Sequence, residues 1–288
     1  MQNPNIKYKD ISLNVKILDF CSISHFISEQ HKFYEEPLLE ALTEYISAED
    51  YVVDIGAHIG NHTLFFSKVL GARVVALEAN PEAFLVLKEN AELNGVGDRV
   101  NALNIAVSDQ NDGIMVLTSL KSEDIGTFSI MRDAEEEGKS FRCKTVTLDG
   151  TYSTYFDTHP PALIKMDVEG AEARVLQGAI GVIKKHKPVL VTEVFNEFEF
   201  NKIFEILVPI GYQPVSIHNA TPTIIWVYKT GAPLEDKILH LFQYGVRSAA
   251  AYNSASVEMR ETRRKLKDAE EKLVLNSADE NDAPKIQD

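Results

Sequence analysis

The chain has 288 residues, of which 44% are hydrophobic and 25% charged, as in a globular protein whose core needs no disulfide or metal. Its formal net charge of −14 argues against a nucleic-acid partner, because phosphate binding depends on a basic surface. We find no apolar run of membrane-spanning length and no signal-peptide layout, and Cys21 and Cys143 stand far apart; we therefore expect a cytoplasmic protein.

The first 50 residues predict a strand or hairpin followed by a helix. Apolar and polar side chains alternate over residues 6–18, as in a half-buried strand. Residues 33–47 place their apolar side chains on one side of a helix. We expect residues 1–50 to pack on the core as an N-terminal extension.

Short apolar segments alternate with helical stretches between residue 51 and about residue 229. The predicted strands are 51–55, 73–78, 100–106, 162–167, 188–193, 212–217 and 223–228. The predicted helices are 60–70, 81–94, 171–185 and 197–208. Such alternation is typical of an α/β domain with a mostly parallel sheet, which we place at 51–230. The last two strands are joined by a short turn, so we expect them to form an antiparallel pair at one edge of the sheet.

Two regions depart from this alternation. Residues 107–148 contain two extended segments around an acidic loop, 119–140, whose length is uncommon unless the loop has a function or is disordered. Residues 231–275 predict a helical extension, and 276–288 predict a disordered tail. A weak heptad stripe in the extension fits either a coiled coil that joins copies of the chain or a helix packed on its own domain. The residues of this stripe are Ala255, Met259, Thr262, Leu266, Ala269 and Leu273.

The strongest functional pattern is DIGAHIGNHT, residues 54–63, which follows a strand and begins a helix. Gly56 and Gly60 allow a tight turn and the close approach of a ligand at the carboxyl end of the strand. Their spacing departs from the G-x-G-x-x-G pattern of nicotinamide-binding loops. Asp54 would repel a pyrophosphate but suits the cationic end of a methionine-like ligand, so the loop favours S-adenosylmethionine. The other loop residues assigned to this cofactor are His58, Asn61 and Thr63.

Three further positions predict contacts with a nucleoside. Glu78 ends the second strand of the domain, where a carboxylate can accept hydrogen bonds from both ribose hydroxyls, as it also does in nicotinamide-binding folds. Asn80 either contacts the cofactor or caps the helix that begins at Pro81. Ser108 and Asp109 follow the third strand, where an adenine ring would lie, although a turn alone would also explain this pair.

The segment IKMDVEGAE, residues 164–172, carries the candidate catalytic residues. Lys165, Asp167 and Glu169 stand at alternate positions and therefore on the same side of an extended chain. Asp167 would end the strand and face the methyl group. Lys165 beside two acids fits either a substrate role or a structural ion pair. Glu172 follows in the turn and could complement the dipole of the next helix.

The order of these motifs resembles the FkbM-type family of S-adenosylmethionine-dependent methyltransferases. The resemblance rests on DIGAHIGNHT, ALEANPEAFLVLKENAELNG, VTLDG, LIKMDVEGAEARVLQGA and PVLVTE, and it runs from about Glu36 to Lys229. It implies a Rossmann-like class I methyltransferase fold with seven strands. It also implies O-methylation, often of sugars or of hydroxyls on natural products and surface glycans. The residues that the resemblance assigns to the cofactor and the active site are Asp54, Gly56, Glu78, Asp167 and Glu169.

An unactivated hydroxyl needs a base or a metal to take its proton. Asp167 and Glu193, at the ends of neighbouring predicted strands, are the preferred pair, and together with Asn196 they could bind Mg²⁺ through oxygen atoms. Alternatively, Glu193 caps a helix or pairs with Lys165. Three histidines could serve as bases or be merely structural: His58, His62 and His218. Trp226 alternates with apolar residues and is expected in the core.

Two other functions stay open. A nicotinamide-dependent oxidoreductase could share this fold, but the glycine spacing and Asp54 disfavour it. A non-catalytic nucleoside-binding or assembly module could use the C-terminal helix as its interaction element and form a homo-oligomer. The presence of Asp54, Glu78 and Asp167 disfavours that module, because a domain without activity does not need all three. The acceptor is expected to be a small molecule or glycan that the sequence does not name.

Overall fold

The structure is a computed structural model that describes residues 3–19, 21–111, 113–119, 128–130, 140–155, 159–229 and 239–253. The predicted tail, the predicted heptad stripe and most of the acidic loop lie outside these ranges. No helix within them combines the length and the apolar composition that crossing a membrane requires. Cys21 and Cys143 are both buried thiols without a disulfide.

The elements follow one another in an order that alternates strands and helices over most of the chain. In chain order they are β1 (Asn5–Tyr8), β2 (Ile11–Asn14), α1 (Ser22–Gln30), α2 (Glu36–Leu42), β3 (Tyr51–Ile55), α3 (Asn61–Leu64) continued by a π-helical turn (Phe65–Val69), β4 (Arg73–Leu77), α4 (Pro81–Leu93), β5 (Val100–Leu103), β6 (Ala106–Val107), β7 (Ile114–Ser119), β8 (Phe128–Ile130), β9 (Ser140–Val146), α5 (Leu148–Tyr155), β10 (Pro161–Met166), α6 (Glu172–Gly178), α7 (Ile180–His186), β11 (Val189–Glu193), α8 (Glu197–Leu207) with a 3₁₀ turn (Val208–Ile210), β12 (Tyr212–His218) and β13 (Thr223–Tyr228).

Seven strands form the central sheet in the order β12-β13-β11-β10-β3-β4-β5. Neighbours from β11 to β5 pair in parallel, whereas β13 is antiparallel to both β11 and β12. This confirms the predicted Rossmann-like class I methyltransferase fold, and the reversed strand lies one position in from the edge. Trp226 on β13 is fully buried, as predicted, and its indole N–H donates to Thr192 Oγ1 at 3.0 Å.

Alternate residues of the central strands enter two separate apolar clusters, one on each face of the sheet. Val52 and Leu163 join the cluster that contains the N-terminal elements, and Val53 and Ile164 join the one that contains α6, α7 and α8. Burial on both faces explains why these strands consist almost wholly of apolar residues. The polar residues lie near the ends of the strands, because the chain leaves the buried part of the sheet there.

The N-terminal extension is fastened to the domain by side-chain amides. The Asn94 amide accepts from the Asn14 N–H at 3.1 Å and donates to the Asn14 carbonyl at 2.8 Å, and Asn90 binds the backbone of Lys16 in the same way. The predicted hairpin and helix are both present, but α2 begins only at Glu36. The chain reverses just before it, where Glu35 has a left-handed φ of 60°. The helix α1 was not predicted.

The segment between β5 and α5, which interrupts the alternation of strands and helices, forms a second, four-stranded sheet with the order β6-β9-β7-β8. Its strands β7 and β9 confirm the two predicted extended segments. The single strand predicted over 100–106 was wrong: the chain leaves the central sheet after Leu103. There the Asn104 amide donates to the carbonyls of Glu78 and Ala79, at 2.8 and 3.1 Å, and fixes the turn.

Residues 239–253 are helical and pack on the domain. Val246 is fully buried in the cluster beneath α8, and Gln243 donates to the Asn201 amide of α8 at 3.1 Å. Asn253 donates to the Ala220 carbonyl in the turn between β12 and β13 at 2.7 Å. For this part of the extension, packing on its own domain is the structure observed. The predicted homo-oligomer stays a prediction.

Candidate active site

The candidate site lies at the carboxyl ends of β3, β4, β10 and β11, where open α/β sheets bind ligands. The loop after β3 contains Gly56, whose φ of 74° is left-handed. A Cβ on Gly56 would lie 1.8 Å from the carbonyl oxygen of Asp167. The backbone of the loop therefore packs directly on the turn that follows β10, and only glycine permits both the conformation and the contact.

A row of three charged side chains runs beneath this loop. The Lys165 ammonium lies 3.2 Å from Asp54 Oδ1 and 3.4 Å from Asp167 Oδ2, and it donates to the Gly56 carbonyl at 3.0 Å. The Thr63 hydroxyl donates to Asp54 Oδ2 at 2.7 Å. Burial alone would lower the pKa of Lys165, but the two carboxylates outweigh it and raise that pKa. Lys165 thus forms the structural ion pair that was one of its two predicted roles.

Glu78 lies at the end of β4 with its carboxylate held by two backbone N–H groups. The His58 N–H donates to Oε2 and the Asn80 N–H donates to Oε1, both at 2.7 Å. Burial raises the pKa of Glu78 to about 7, although these hydrogen bonds oppose the rise. Each oxygen keeps the capacity for a further hydrogen bond. A ligand with two hydroxyl donors would therefore find an oriented acceptor here.

Asp167 directly follows β10, whose last residue, Met166, pairs with Thr192 on β11, and Glu193 is the last residue of β11. Burial raises the pKa of Glu193 well above its ordinary value, and the neighbouring charges of Asp167 and Glu169 raise it further. Burial would also raise the pKa of Asp167, but Lys165 and the Glu193 carboxyl outweigh it and lower that pKa. The two carboxyls therefore differ in acidity, and Asp167 is the one that ionises first.

Two residues of the N-terminal extension enter the site, and the sequence analysis did not identify them. The side-chain amide of Asn61 accepts from the Tyr34 N–H at 3.0 Å and donates to the Tyr34 carbonyl at 2.9 Å. Next to it, His62 Nε2 lies 3.3 Å from the Glu35 carboxylate. The signal in the sequence was the polar pair Asn61–His62 at the start of α3.

Several other predicted cofactor residues are engaged within the fold. Asn80 caps α4, since its side chain accepts from the N–H groups of Glu82 and Ala83 at 2.9 and 3.4 Å. Ser108 donates to Asp109 Oδ1 at 2.9 Å, and the same oxygen accepts from Arg174 at 2.8 Å. The Arg174 hydrogen bonds lower the pKa of Asp109. These contacts favour the cap and the turn, the simpler of the two roles predicted for each position.

The break between α6 and α7 lies next to the turn that contains Ser108. A Cβ on Gly178 would lie 1.9 Å from the Ser108 carbonyl oxygen, so this glycine lets the helix approach the turn after β6. The helix predicted over 171–185 is accordingly divided at Ala179. Glu172, at the start of α6, reaches back and accepts from the Val168 N–H at 3.0 Å. Burial raises the pKa of Glu172 to about 7.

The predicted Mg²⁺ site finds no support. Asn196 caps α8, and its side-chain oxygen accepts from the Glu199 N–H at 3.0 Å, so it is not directed at Asp167 and Glu193. Among the described residues, no group of three His, Cys, Asp or Glu side chains could hold a metal ion.

The remaining candidates lie in turns or at the sheet edge. His58 has a φ of 52°, and its ring lies 3.6 Å from the Cys21 sulfur. Glu169 also has a left-handed φ, of 53°, in the turn before α6. His218 ends the edge strand β12, where its ring lies 3.0 Å from the Ser216 hydroxyl, and burial lowers its pKa. His218 lies on β12 and is therefore separated from β11 by the strand β13.

The site combines a glycine loop after β3, a held acid after β4 and an acidic turn after β10. All three features lie within one continuous sequence match. Residues 54–214 match the methyltransferase FkbM domain, which is more than half of the chain. The chain belongs to the FkbM methyltransferase family. The match begins at Asp54 and so includes the whole cofactor loop, β10 and β11, but it leaves the N-terminal extension outside.

A hexuronic acid methyltransferase, AglP from Haloferax volcanii, is 27% identical to this chain over 157 residues. The match covers 54% of the chain and 61% of AglP, so less than two thirds of that relative is represented.

Solved structures show a general similarity to the FkbM domain. An FkbM methyltransferase from Methylobacillus flagellatus KT has 20% identity and a TM-score of 0.44, over 64% of this chain and 44% of that one. An O-methyltransferase from Bacillus cereus, solved with S-adenosylhomocysteine, has 15% identity and a TM-score of 0.42, over 67% and 79% of the two chains. The fold itself is established by the strand order of the chain.

Proposed function

We propose that the chain is an S-adenosylmethionine-dependent O-methyltransferase that acts on a sugar hydroxyl. The observation that carries this proposal is the contact between Gly56 and Asp167, which joins the cofactor loop and the acidic turn into one unit. A ligand held by the loop would present its reactive end to the carboxylate at the end of β10. Membership of the FkbM methyltransferase family and the similarity to a hexuronic acid methyltransferase support a sugar as acceptor.

The residues present fit S-adenosylmethionine. Glu78 offers two oriented oxygens to a ribose, and hydroxyl donors would offset the cost of its burial. Gly56 and Gly60 adopt positive φ values, of 74° and 90°, which give the loop the tight turn that a ligand at the strand end requires. Asp54 is fully buried against Thr63 and Lys165, so we assign it to holding the loop from beneath. The other proposed loop contacts are His58, Asn61 and Thr63, through their backbone.

When bound, S-adenosylmethionine supplies a methyl group that its sulfonium already activates for displacement. The protein has to align the acceptor oxygen and remove its proton. Asp167 is ionised, is about one-third exposed, and accepts the proton as the new oxygen–carbon bond forms. Lys165 and the Glu193 carboxyl lower the pKa of Asp167 and keep its carboxylate ionised. The catalytic group is thus Asp167, with Lys165 and Glu193 setting its charge, and Glu169 raises the pKa of Glu193.

Calorimetric titration with S-adenosylmethionine, S-adenosylhomocysteine and NAD tests the cofactor. Both sulfur nucleosides should bind wild-type protein, and Asp54→Ala and Glu78→Ala should each weaken them. Glu89→Ala is a matched control, because it removes a carboxylate from an exposed ion pair with Lys16. Binding of NAD alone would support the oxidoreductase instead, and binding of none of the three would leave the assembly module.

A second assay follows S-adenosylhomocysteine release with methyl glycosides as acceptors. Asp167→Asn should abolish turnover while leaving the affinity for S-adenosylhomocysteine within about twofold, because a proton acceptor contributes to the transition state and little to binding. If Asp167→Asn retained full turnover, the assignment of the base would be wrong. Turnover that survives EDTA would agree with proton transfer to a carboxylate without Mg²⁺.

A further inference from the structure

We propose that Tyr34 binds the acceptor sugar and that Asn61 and the Glu35–His62 pair are the positioning residues that hold it there. This inference rests on the proposed function and names a wall of the acceptor site that the FkbM domain, residues 54–214, does not contain. It also gives the side chain of Asn61 a role in supporting the acceptor site, beside the proposed contact of its backbone with the cofactor.

The first support is the amide clamp on the Tyr34 backbone. Both hydrogen-bonding groups of the Asn61 amide are used on one residue, 27 positions earlier in the chain. Asn61 is buried at the start of α3, directly after the cofactor loop. The position of Tyr34 is therefore set by the same loop that is proposed to hold the methyl donor.

The second support is the contact between His62 and Glu35 next to the clamp. The side chains of His62 and Glu35 are only 8% and 13% exposed, and they meet at 3.3 Å. Glu35 adopts a left-handed φ of 60°, a conformation that non-glycine residues rarely adopt unless other contacts impose it. Two consecutive residues of the extension are thus fixed to two consecutive residues of α3, which is more than the packing of a helix requires.

The third support is the environment of the Tyr34 phenol. Burial raises the pKa of Tyr34 to about 12, and the carboxylates that raise it further belong to Glu35, Glu193, Asp167 and Glu169. The phenol therefore stays a neutral donor at physiological pH. Its hydroxyl donates to no other described residue. The edge of the Phe26 ring supports the Tyr34 ring, at 5.5 Å between centroids and 80° between planes.

These contacts give Tyr34 the two properties that sugar binding requires. A fixed aromatic ring offers an apolar face to the C–H groups of a pyranose, and the hydroxyl offers a donor to one of its oxygens. Because Asn61 holds Tyr34 next to the loop that packs on the Asp167 carbonyl, a sugar on Tyr34 would present a hydroxyl towards the proposed base. Tyr34 therefore determines which acceptor hydroxyl is presented.

The experiment compares variants with methyl glycosides of glucose, rhamnose, glucosamine and glucuronic acid as probes. Tyr34→Phe removes one hydrogen bond and should raise the KM for the best acceptor about three- to tenfold. Tyr34→Ala and Asn61→Ala should raise it more than about tenfold. For all three variants the affinity for S-adenosylhomocysteine should stay within about twofold of wild type.

Two matched controls separate acceptor positioning from general stability. Asn94→Ala removes the same kind of amide clamp, on the backbone of Asn14, and Tyr45→Phe removes a phenol that packs on the apolar cluster. Both should leave KM unchanged.

An unchanged KM in Tyr34→Ala, or a parallel loss of S-adenosylhomocysteine affinity, would overturn the inference while the proposed function stands. A wild-type protein that binds S-adenosylhomocysteine but methylates none of the probes would overturn the sugar assignment and this inference with it.

Discussion

The buried ion pair beneath the cofactor loop allows a double-mutant cycle on Lys165 and Asp54. Lys165→Met replaces the ammonium by an apolar group of similar length. It leaves the Asp54 carboxylate with the Thr63 hydroxyl as its remaining polar side-chain contact, in a position with no solvent exposure. Asp54→Asn removes the charge but keeps the shape, so the double variant has neither charge.

The magnitude follows from the cost of leaving a buried charge uncompensated, which is about 3–5 kcal/mol. For a domain of this size such a loss lowers Tm by roughly 6–20 °C. The Asp54→Asn change alone should cost less, because Lys165 keeps Asp167 and the Gly56 carbonyl as partners. In the double variant no buried charge remains at this point, so we expect it to recover about 2 kcal/mol or more relative to Lys165→Met.

Guanidinium denaturation of the four proteins, followed by circular dichroism, measures the cycle. The four proteins should share one denaturant slope, so that midpoints report stability alone. The reasoning would be refuted if Lys165→Met cost under about 1 kcal/mol, or if adding Asp54→Asn to it restored nothing. Either result would mean that the row of charges is solvated in solution and does not fix the loop.

Two further predictions concern the loop and the nucleoside site. Gly56→Ala should abolish S-adenosylhomocysteine binding and destabilise the fold by more than Gly95→Ala. Both glycines have a positive φ, but only at Gly56 would the new Cβ overlap another atom. Thermal melting of the two variants measures the difference. Glu78 binds ribose as a carboxylate and its pKa is about 7, so affinity should fall as pH falls, by up to about thirtyfold between pH 8 and pH 5.5. Titration calorimetry at both values checks this, and Glu78→Gln should bind weakly with no such dependence; an equally steep dependence in that variant would assign the proton to another group.

The central sheet could be predicted because its signals are local. Buried parallel strands are continuous apolar runs, and 51–55 and 223–228 were predicted to the residue. The fold class follows from the alternation of these runs with helices. The length of a strand at the edge of the sheet was harder to predict. The predicted strand 100–106 ends at Leu103, where the Asn104 amide binds the turn after β4, a contact that no local pattern indicates.

The site was predictable only in part, for a related reason. Residues that lie at strand ends were found, since a parallel sheet brings such ends together. Tyr34 was missed because its place depends on Asn61, 27 residues away, and on a left-handed residue that propensity disfavours. The Mg²⁺ ligand proposed at Asn196 stays a prediction, because an asparagine before a helix serves equally well as a cap, which is the role that the structure shows.

One apolar cluster contains both Ile6, near the start of the chain, and Ile225 on β13. During synthesis the hairpin and the first helices leave the ribosome long before β10, β11 and β13 exist, so part of the surface that covers them is missing until then. Domains generally fold as units, and contacts between residues so far apart in sequence are slow to form. The N-terminal cluster is therefore completed only after about residue 225 has been synthesised.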